Sequence, residues 1–244
     1  MLRLVAILPL VFAAAAFAGS RIDVHPGKTD PEVHGEMLVR GLAVTDRGYT
    51  LELGREPLSF RITRDGKPVR DFDLEHTKRM HVIVVRRDLT GFQHLHPTMR
   101  ADGTWTVPLT LPAAGTYRVY ADFAVGGEPH TLAADLTADG EVHSQPLPPV
   151  SNTATVDGMT VTRRGLDFTV TRSGKPVAIE DYLGAKGHLV ALRQGDLAFL
   201  HVHPDERSLR FMATFPTAGT YRLFLQFKTN GRVHTAAFTQ EVSR

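Results

Sequence analysis

The chain has 244 residues, of which 42% are hydrophobic and 22% are charged, with 28 basic and 26 acidic side chains. This composition is typical of a globular protein and excludes a chain that is disordered throughout. The formal net charge of +2 gives no electrostatic reason to expect nucleic-acid binding. The absence of cysteine excludes disulfides, thiolate metal sites and iron–sulfur clusters.

The N-terminus has the pattern of a secretory signal. Arg3 supplies the basic start, residues 4–17 form an apolar run too short to span a bilayer, and Ala16-Phe17-Ala18 fits the small-residue cleavage pattern. We therefore expect a signal peptide over residues 1–18, cleaved after its last alanine, and then a flexible arm over residues 19–40. The mature protein is expected to be secreted or periplasmic, with no transmembrane segment; an uncleaved anchor is the alternative.

The rest of the sequence contains one unit written twice, with a period of about 107 residues. The matching segments are Phe60–Val69 with Phe168–Val177, His94–Pro97 with His201–Pro204, and Ala114–Arg118 with Ala218–Arg222. A proline-rich segment, residues 142–152, separates the two copies and is unsuited to regular structure. We predict a first domain over residues 41–141, a linker over 142–152 and a second domain over 153–244.

Each unit has the two-residue periodicity of strands, and the sequence predicts an all-β fold of two tandem immunoglobulin-like antiparallel β-sandwiches. Alternate residues from Tyr221 to Phe227 are apolar and should share one face. Asn230-Gly231 is a strong hairpin signal, and Gly126-Gly127 occupies the same place in the first unit. In both units an Ala-Gly-Thr-Tyr segment precedes an alternating strand, as in the tyrosine corner of immunoglobulin-like sandwiches.

Histidine is unusually frequent, with 12 copies, and eight of them follow the repeat. They are His81, His94, His96 and His130 in the first unit, and His188, His201, His203 and His234 in the second. The first and second histidines are 13 residues apart in both units (94 − 81 and 201 − 188). This correspondence makes an accidental pattern improbable and identifies these eight residues as the candidate site.

Strand geometry predicts where these side chains meet. A hairpin about Gln194–Asp196 would place Val190 opposite His201 and His188 opposite His203, so that three imidazoles share a face. The Asn230-Gly231 hairpin would place His234 opposite Phe227, and the equivalent turn would place His130 opposite Phe123. If the three-histidine face also points inward, all four imidazoles of a unit meet at one end of its sandwich.

A cluster of buried imidazoles requires partners, and a bound metal ion satisfies several at once. Ligands that are all nitrogen suit copper or zinc, and copper binds more tightly in the Irving–Williams order. We therefore predict one histidine-rich metal site in each domain, with copper as the metal and zinc as the alternative. A hydrogen-bonded structural network and a pH sensor are the other interpretations of the same pattern.

The remaining histidines give weaker signals. His25, His34 and Met37 lie in the N-terminal arm, where a solvated segment is expected, although such residues can also bind copper. His76 and His143 have no counterparts in the repeat and are expected at the surface. Because no serine-hydrolase, zinc-protease or phosphate-loop motif is present, we assign no catalytic residue.

Three segments, Leu183–Leu192, Leu200–Pro204 and Phe215–Tyr221, together form a G-H…H-x-H-P pattern. This pattern resembles a group of uncharacterised secreted proteins of actinobacterial type. More loosely, each unit is similar to the CopC-like and YtkA-like domains of copper handling. That resemblance implies a copper-binding role outside the cytoplasm. The chain departs from the CopC pattern because its predicted mature N-terminal residue is Gly19, whereas those carriers have a histidine there.

The sequence as a whole predicts an exported, non-enzymatic protein that carries, buffers or sequesters copper. A membrane metal transporter or another exported protein is the expected partner, and nucleic acid is not. A structural or interaction module with core histidines is the first alternative. A zinc-dependent hydrolase is the second, because three histidines with an open position can activate water.

Overall fold

The computed structural model describes residues 39–54, 58–204 and 207–243, although the side chains of His201, His203 and Pro204 fall outside the description. The predicted signal peptide and residues 19–38 of the predicted arm also lie outside the described residues. We call residues 41–141 the first repeat and residues 153–243 the second repeat. Every regular element in the described residues is a β-strand, and the all-β prediction is confirmed.

The described residues of the first repeat form ten strands. In chain order they are β1 (Thr45–Asp46), β2 (Tyr49–Leu53), β3 (Leu58–Arg64), β4 (Lys67–Pro68), β5 (His81–Arg86), β6 (Gln93–Leu95), β7 (Thr98–Met99), β8 (Trp105–Val107), β9 (Gly115–Val125) and β10 (Glu128–Ala138). All pairings between them are antiparallel. One sheet has the order β1-β2-β3-β8-β7, with β4 beside β3, and the other has the order β10-β9-β5-β6.

Within the part of the second repeat that the structure describes there are nine strands. They are β11 (Thr153–Val156), β12 (Met159–Arg164), β13 (Asp167–Arg172), β14 (Lys175–Pro176), β15 (Gly187–Arg193), β16 (Phe199–Pro204), β17 (Phe211–Met212), β18 (Gly219–Thr229) and β19 (Arg232–Val242). One sheet has the order β11-β12-β13-β14 and the other β17-β16-β15-β18-β19. The central order β9-β5-β6 thus recurs as β18-β15-β16, as the repeat in the sequence requires.

Each repeat has its own apolar core between its two sheets. In the first repeat Val82 and Val84 of β5 pack with residues of the opposite sheet such as Phe60 and Trp105. In the second repeat Leu189 and Ala191 of β15 occupy the equivalent positions. The predicted shared face of Tyr221, Leu223, Leu225 and Phe227 is confirmed, since all four belong to the second core.

The turns and corners follow from the local sequence. The β18–β19 turn has φ of 50° at Asn230 and 72° at Gly231, which are the positive values that a type I′ hairpin needs. The hydroxyl of Tyr117 donates to the carbonyl of Ala113, four residues upstream, at 2.8 Å. The hydroxyl of Tyr221 donates to Thr217 in the same way at 3.0 Å, so both predicted tyrosine corners are present.

A third apolar cluster lies between the repeats. It joins Ile83 and Tyr120, on the outer face of the sheet β10-β9-β5-β6, to Val190 and Phe224 of the second repeat. The rings of Phe92 and Phe224 stack with centroids 4.1 Å apart. Because β5 packs against a core on each of its faces, all six of its residues are buried. The sheet that contains β5 therefore packs against the sheet that contains β15.

The short segment before β1 lies in this interface. The main chain of Phe199 donates to the carbonyl of Arg40 at 2.9 Å. Gly41 has φ of +69°, and a Cβ there would lie 2.7 Å from Phe199 and 2.8 Å from Tyr120. Only glycine has both the positive φ and the missing side chain that this close contact requires. None of the described residues forms a helix long and apolar enough to cross a membrane.

Candidate metal centre

Three histidines of the first repeat come together at the edge of the interface. His81 begins β5, His94 lies in β6 opposite Ile83, and His96 follows β6. Each ring offers one nitrogen that lies within 4.8 Å of the other two. His81 is buried and the other two are half-buried. The group could hold a metal ion, as the sequence predicted for these three residues.

The outer hydrogen bonds of the group fix which nitrogen carries the proton. His81 Nε2 lies 3.0 Å from the carbonyl oxygen of Glu75, and His94 Nδ1 lies 2.7 Å from Gln226 Oε1. Both partners are oxygens that only accept, so each of these nitrogens must donate its N–H. In a neutral imidazole the other nitrogen then carries a lone pair and no hydrogen.

Those lone pairs point at each other, because His81 Nδ1 lies 3.0 Å from His94 Nε2. With both outer N–H groups committed, this contact is a hydrogen bond only if one ring is protonated. Burial, followed by the neighbouring His81 and His96, lowers the pKa of His94 well below 6.5, so a proton shared in this contact would be carried by His81. A metal cation is the partner that two converging lone pairs can share without protonation.

His96 supplies the third nitrogen. Its Nε2 is buried and has no hydrogen-bond partner among the described residues. Burial, followed by the nearby His81, Lys78 and His188, lowers its pKa to about 3. Metal–imidazole bonds of about 2.0 Å place two nitrogens on one ion roughly 3–4 Å apart. The observed spacing therefore requires only small ring movements to reach coordination geometry.

His188 of the second repeat lies beside the three-histidine group. The ring centroid of His188 lies 5.9 Å from that of His94 and 6.4 Å from that of His81. His188 Nε2 donates to the carbonyl of Tyr182 at 3.0 Å, six residues upstream, as His81 does to Glu75. The two repeats thus use the same device to orient their first histidine.

His76 also approaches the group, and this corrects the expectation of an isolated surface residue. Its ring lies 5.2 Å from that of His188 and 6.3 Å from that of His81. It is half-buried in the loop before β5, with a positive φ of 47°. Since His76 has no counterpart in the repeat, comparison of the two units could not reveal it. His143, in contrast, has a side chain that is 73% exposed.

The structure does not bring His130 into the group. The predicted pairing of His130 with Phe123 is confirmed, but His81 pairs with Asp122, the neighbour of Phe123. Since successive residues of a strand face opposite sides, His130 faces the core while His81 faces the interface. His130 Nδ1 instead lies 3.1 Å from Asp46. The condition for a four-imidazole site, that the three-histidine face points inward, is therefore not met in the first repeat.

His234 repeats this arrangement in the second repeat. It pairs with Phe227 as predicted, whereas His188 pairs with the adjacent Gln226, so the two histidines face opposite sides of the sheet. His234 Nδ1 lies 2.6 Å from Asp157, and its ring stacks on Phe227 with centroids 5.5 Å apart. Like His130, it is a core histidine with a carboxylate partner.

The backbone of the remaining candidates follows the predicted register. His201 lies opposite Val190, and His203 lies in the same strand, paired with Met212 of β17. The side chains of both histidines lie outside the described residues. Their role as ligands in the second repeat stays a prediction.

Sequence reasoning missed Gln226. It lies on β18 opposite His188, between core residues Leu225 and Phe227. The sequence could have indicated this residue, because it is polar and interrupts an apolar strand. The counterpart of Gln226 in the first repeat is Asp122, which is also polar and lies opposite His81. Without knowledge that the two repeats pack together, nothing linked Gln226 to His94.

A comparison with protein families supports the repeat found in the sequence. The pattern of a family described as a domain of unknown function (DUF8832) matches residues 38–140 and 151–244. A comparison with curated proteins finds no match. The family match covers more than half of the chain, and its description assigns no activity.

Proposed function

We propose that this protein, which belongs to the DUF8832 family, binds a copper ion through His81, His94 and His96 and carries, buffers or sequesters it outside the cytoplasm. The observation that supports this most is the 3.0 Å contact between His81 Nδ1 and His94 Nε2, whose protons are both committed elsewhere. Two buried lone pairs at that distance repel unless a bound cation relieves the repulsion, and that cation is either a proton on one ring or a metal ion coordinated by both.

The donor set favours copper over other metals. The group among the described residues consists of imidazoles alone, with no carboxylate. Nitrogen ligands suit copper and zinc, whereas magnesium and calcium require oxygen, and copper has the higher affinity of the two candidates. Zinc is the competitor that the titration must include.

The same donor set favours binding over hydrolysis. A zinc hydrolase needs a base or a carboxylate that orients the attacking water, and the three-histidine group includes none. Export rests on the signal-like N-terminus, and a membrane metal transporter is the partner we propose on that basis. We also propose a second site, formed by His188, His201 and His203, on the repeat in the sequence.

Calorimetric titration of metal-free protein with Cu(II) and Zn(II) tests the proposal. We expect micromolar or tighter binding, and His94→Ala or His96→Ala should weaken the first-repeat site at least tenfold because each removes one ligand. His143→Ala is the matched control, since His143 is exposed and remote from the group. Binding of neither ion by the unaltered protein would defeat the proposal. A stoichiometry of one rather than two would reject the second site alone.

A structural histidine network is the second candidate, favoured by the hydrogen bonds of His81 and His94 to the main chain and to Gln226. Thermal unfolding with and without chelator separates the two functions. A metal-binding protein gains stability as RT ln(1 + [L]/Kd), or about 2.7 kcal/mol at 100 times Kd. An unchanged midpoint across metal concentrations would favour the structural network.

A further inference from the structure

We propose that the second repeat contributes a positioning residue, Gln226, to the metal centre. Gln226 orients the His94 ring so that its Nε2 can bind the metal ion. This inference rests on the proposed metal-binding function and deepens it. The contact on which it depends is the 2.7 Å hydrogen bond between His94 Nδ1 and Gln226 Oε1, which crosses from one repeat to the other.

Gln226 is held in one orientation. The residue is only 7% exposed and lies on β18, the strand that pairs with β15. Its Nε2 donates to Thr235 Oγ1 on β19 at 3.3 Å, which directs Oε1 toward His94. The amide is therefore a fixed acceptor supplied by the second repeat.

That acceptor decides the state of the His94 ring. An amide oxygen cannot donate, so it keeps the proton on Nδ1 and leaves the lone pair of Nε2 directed at His81 Nδ1. Outer partners of this kind fix the tautomer and orientation of metal-binding histidines. Without Gln226, the ring can adopt the tautomer with Nε2–H, which turns the ligand atom into a hydrogen-bond donor to His81.

The position of Gln226 couples metal binding to the packing of the repeats. Gln226 can reach His94 only while the two sheets are in contact through residues such as Ile83 and Phe224. Metal binding therefore favours the packed arrangement, and by linkage the packed arrangement favours metal binding. The centre belongs to the pair of repeats and not to the first repeat alone.

Three variants of the full chain test the role of Gln226. Gln226→Leu removes the acceptor at similar volume and should weaken Cu(II) or Zn(II) binding at the first-repeat site about 10- to 100-fold. Gln226→Glu keeps an acceptor, now charged, and should restore or exceed the original affinity. Gln93→Leu is the control, because Gln93 neighbours His94 but donates to the carbonyl of Thr110 and contacts no imidazole in the hydrogen bonds described.

The order of the two Gln226 variants distinguishes positioning from packing. If Gln226 only fills space, leucine will be tolerated and a buried carboxylate will be the more harmful change. Nitrogen-15 NMR of the metal-free protein gives an independent readout. We expect the His94 ring to be the Nδ1–H tautomer in the unaltered protein and a mixture of the two tautomers in Gln226→Leu. Loss of binding in His94→Ala with unchanged affinity in Gln226→Leu would overturn this inference alone. Absence of binding in the unaltered protein would overturn the proposed function with it.

Discussion

At the scale of single residues, the protonation states of the imidazoles decide what the group can bind. The hydrogen bonds of His81 and His94 to acceptor oxygens consume one N–H each, and burial keeps His94 neutral. The lone pairs that converge across the 3.0 Å contact between His81 and His94 need a shared cation, which is a proton in a structural network and a metal ion in a metal site. A buried imidazole that resists protonation also makes the stability of the metal-free protein depend on pH.

The metal-free protein should lose stability as the pH falls below 6.5. The folded-state pKa of His96 is about 3, whereas the unfolded chain takes up this proton near 6.5. Between those values the unfolded state binds more protons, so stability present above pH 6.5 is lost as the pH falls toward 3. His96 is half-buried, and we expect its share to be about 1–2 kcal/mol between pH 6.5 and 4.5.

Urea unfolding of the chelated protein at pH 7 and pH 4.5 measures this loss. His96→Asn should make the difference in unfolding free energy between the two pH values smaller. His143→Asn removes an exposed histidine and should leave the difference unchanged. An equal pH dependence in His96→Asn and the unaltered protein would contradict the assignment.

At the scale of elements, the turn after β5 is stabilised by a buried ion pair. Arg86 Nε donates to Asp88 Oδ1 at 2.9 Å, and the two side chains are 7% and 9% exposed. Burial alone would raise the pKa of Asp88, but hydrogen bonds from Arg86, Thr90 and the main chain of Gln145 hold it below its ordinary value. This turn therefore also fixes the start of the segment between the repeats.

Asp88→Ala should destabilise the protein by about 3 kcal/mol at pH 7, because it leaves the Arg86 guanidinium buried without its partner. Asp196→Ala is the matched variant in the second repeat. Asp196 pairs with Arg193 in the same way but is 39% exposed, so its loss should cost about 1 kcal/mol or less. Denaturant unfolding measures both, and equal losses would contradict the role given to burial. Because the folded-state pKa of Asp88 is depressed, its contribution should disappear as the pH falls below about 4.

The register of the strands could be predicted from the sequence, but the faces could not. The hairpin turns at Gly126-Gly127 and Asn230-Gly231 fixed the pairings of His130 and His234, and both were confirmed. In β5 and β15, however, the four positions after the histidine are all apolar, because each strand packs against a core on both faces. Alternation then carries no information about which face is inward. The sequence therefore left open whether the three-histidine face points inward, and in the first repeat it points to the interface.

At the scale of the whole molecule, the third apolar cluster makes the two repeats one packing unit. It includes buried residues from both repeats, such as Val85 and Leu192. The hydroxyl of Tyr120 adds a hydrogen bond to the carbonyl of Leu197 at 2.5 Å. This packing brings Gln226 to His94 and could not be predicted from either unit separately. It also implies that the repeats unfold together.

A single tryptophan allows that implication to be measured. Trp105 lies in the core of the first repeat, so its fluorescence reports on that repeat, whereas far-UV circular dichroism reports on the strands of both. In the unaltered protein we expect the two melting curves to coincide. Gly41→Ala forces a Cβ against Phe199 and Tyr120 in the interface and should cost about 1–3 kcal/mol, with separation of the two curves.

Gly66→Ala is the matched control for that variant. Gly66 has φ of +71°, close to the +69° of Gly41, but a Cβ there would meet no atom within 4 Å. Alanine should therefore cost only the backbone strain of about 1 kcal/mol, and the curves should still coincide. Separate curves in the unaltered protein, or coincident curves in Gly41→Ala, would show that the repeats are not coupled through this interface. Coincident curves whose midpoints both rise on addition of Cu(II) are the outcome that we expect if metal binding at His94 stabilises both repeats through this interface, and the rise should be smaller in His94→Ala.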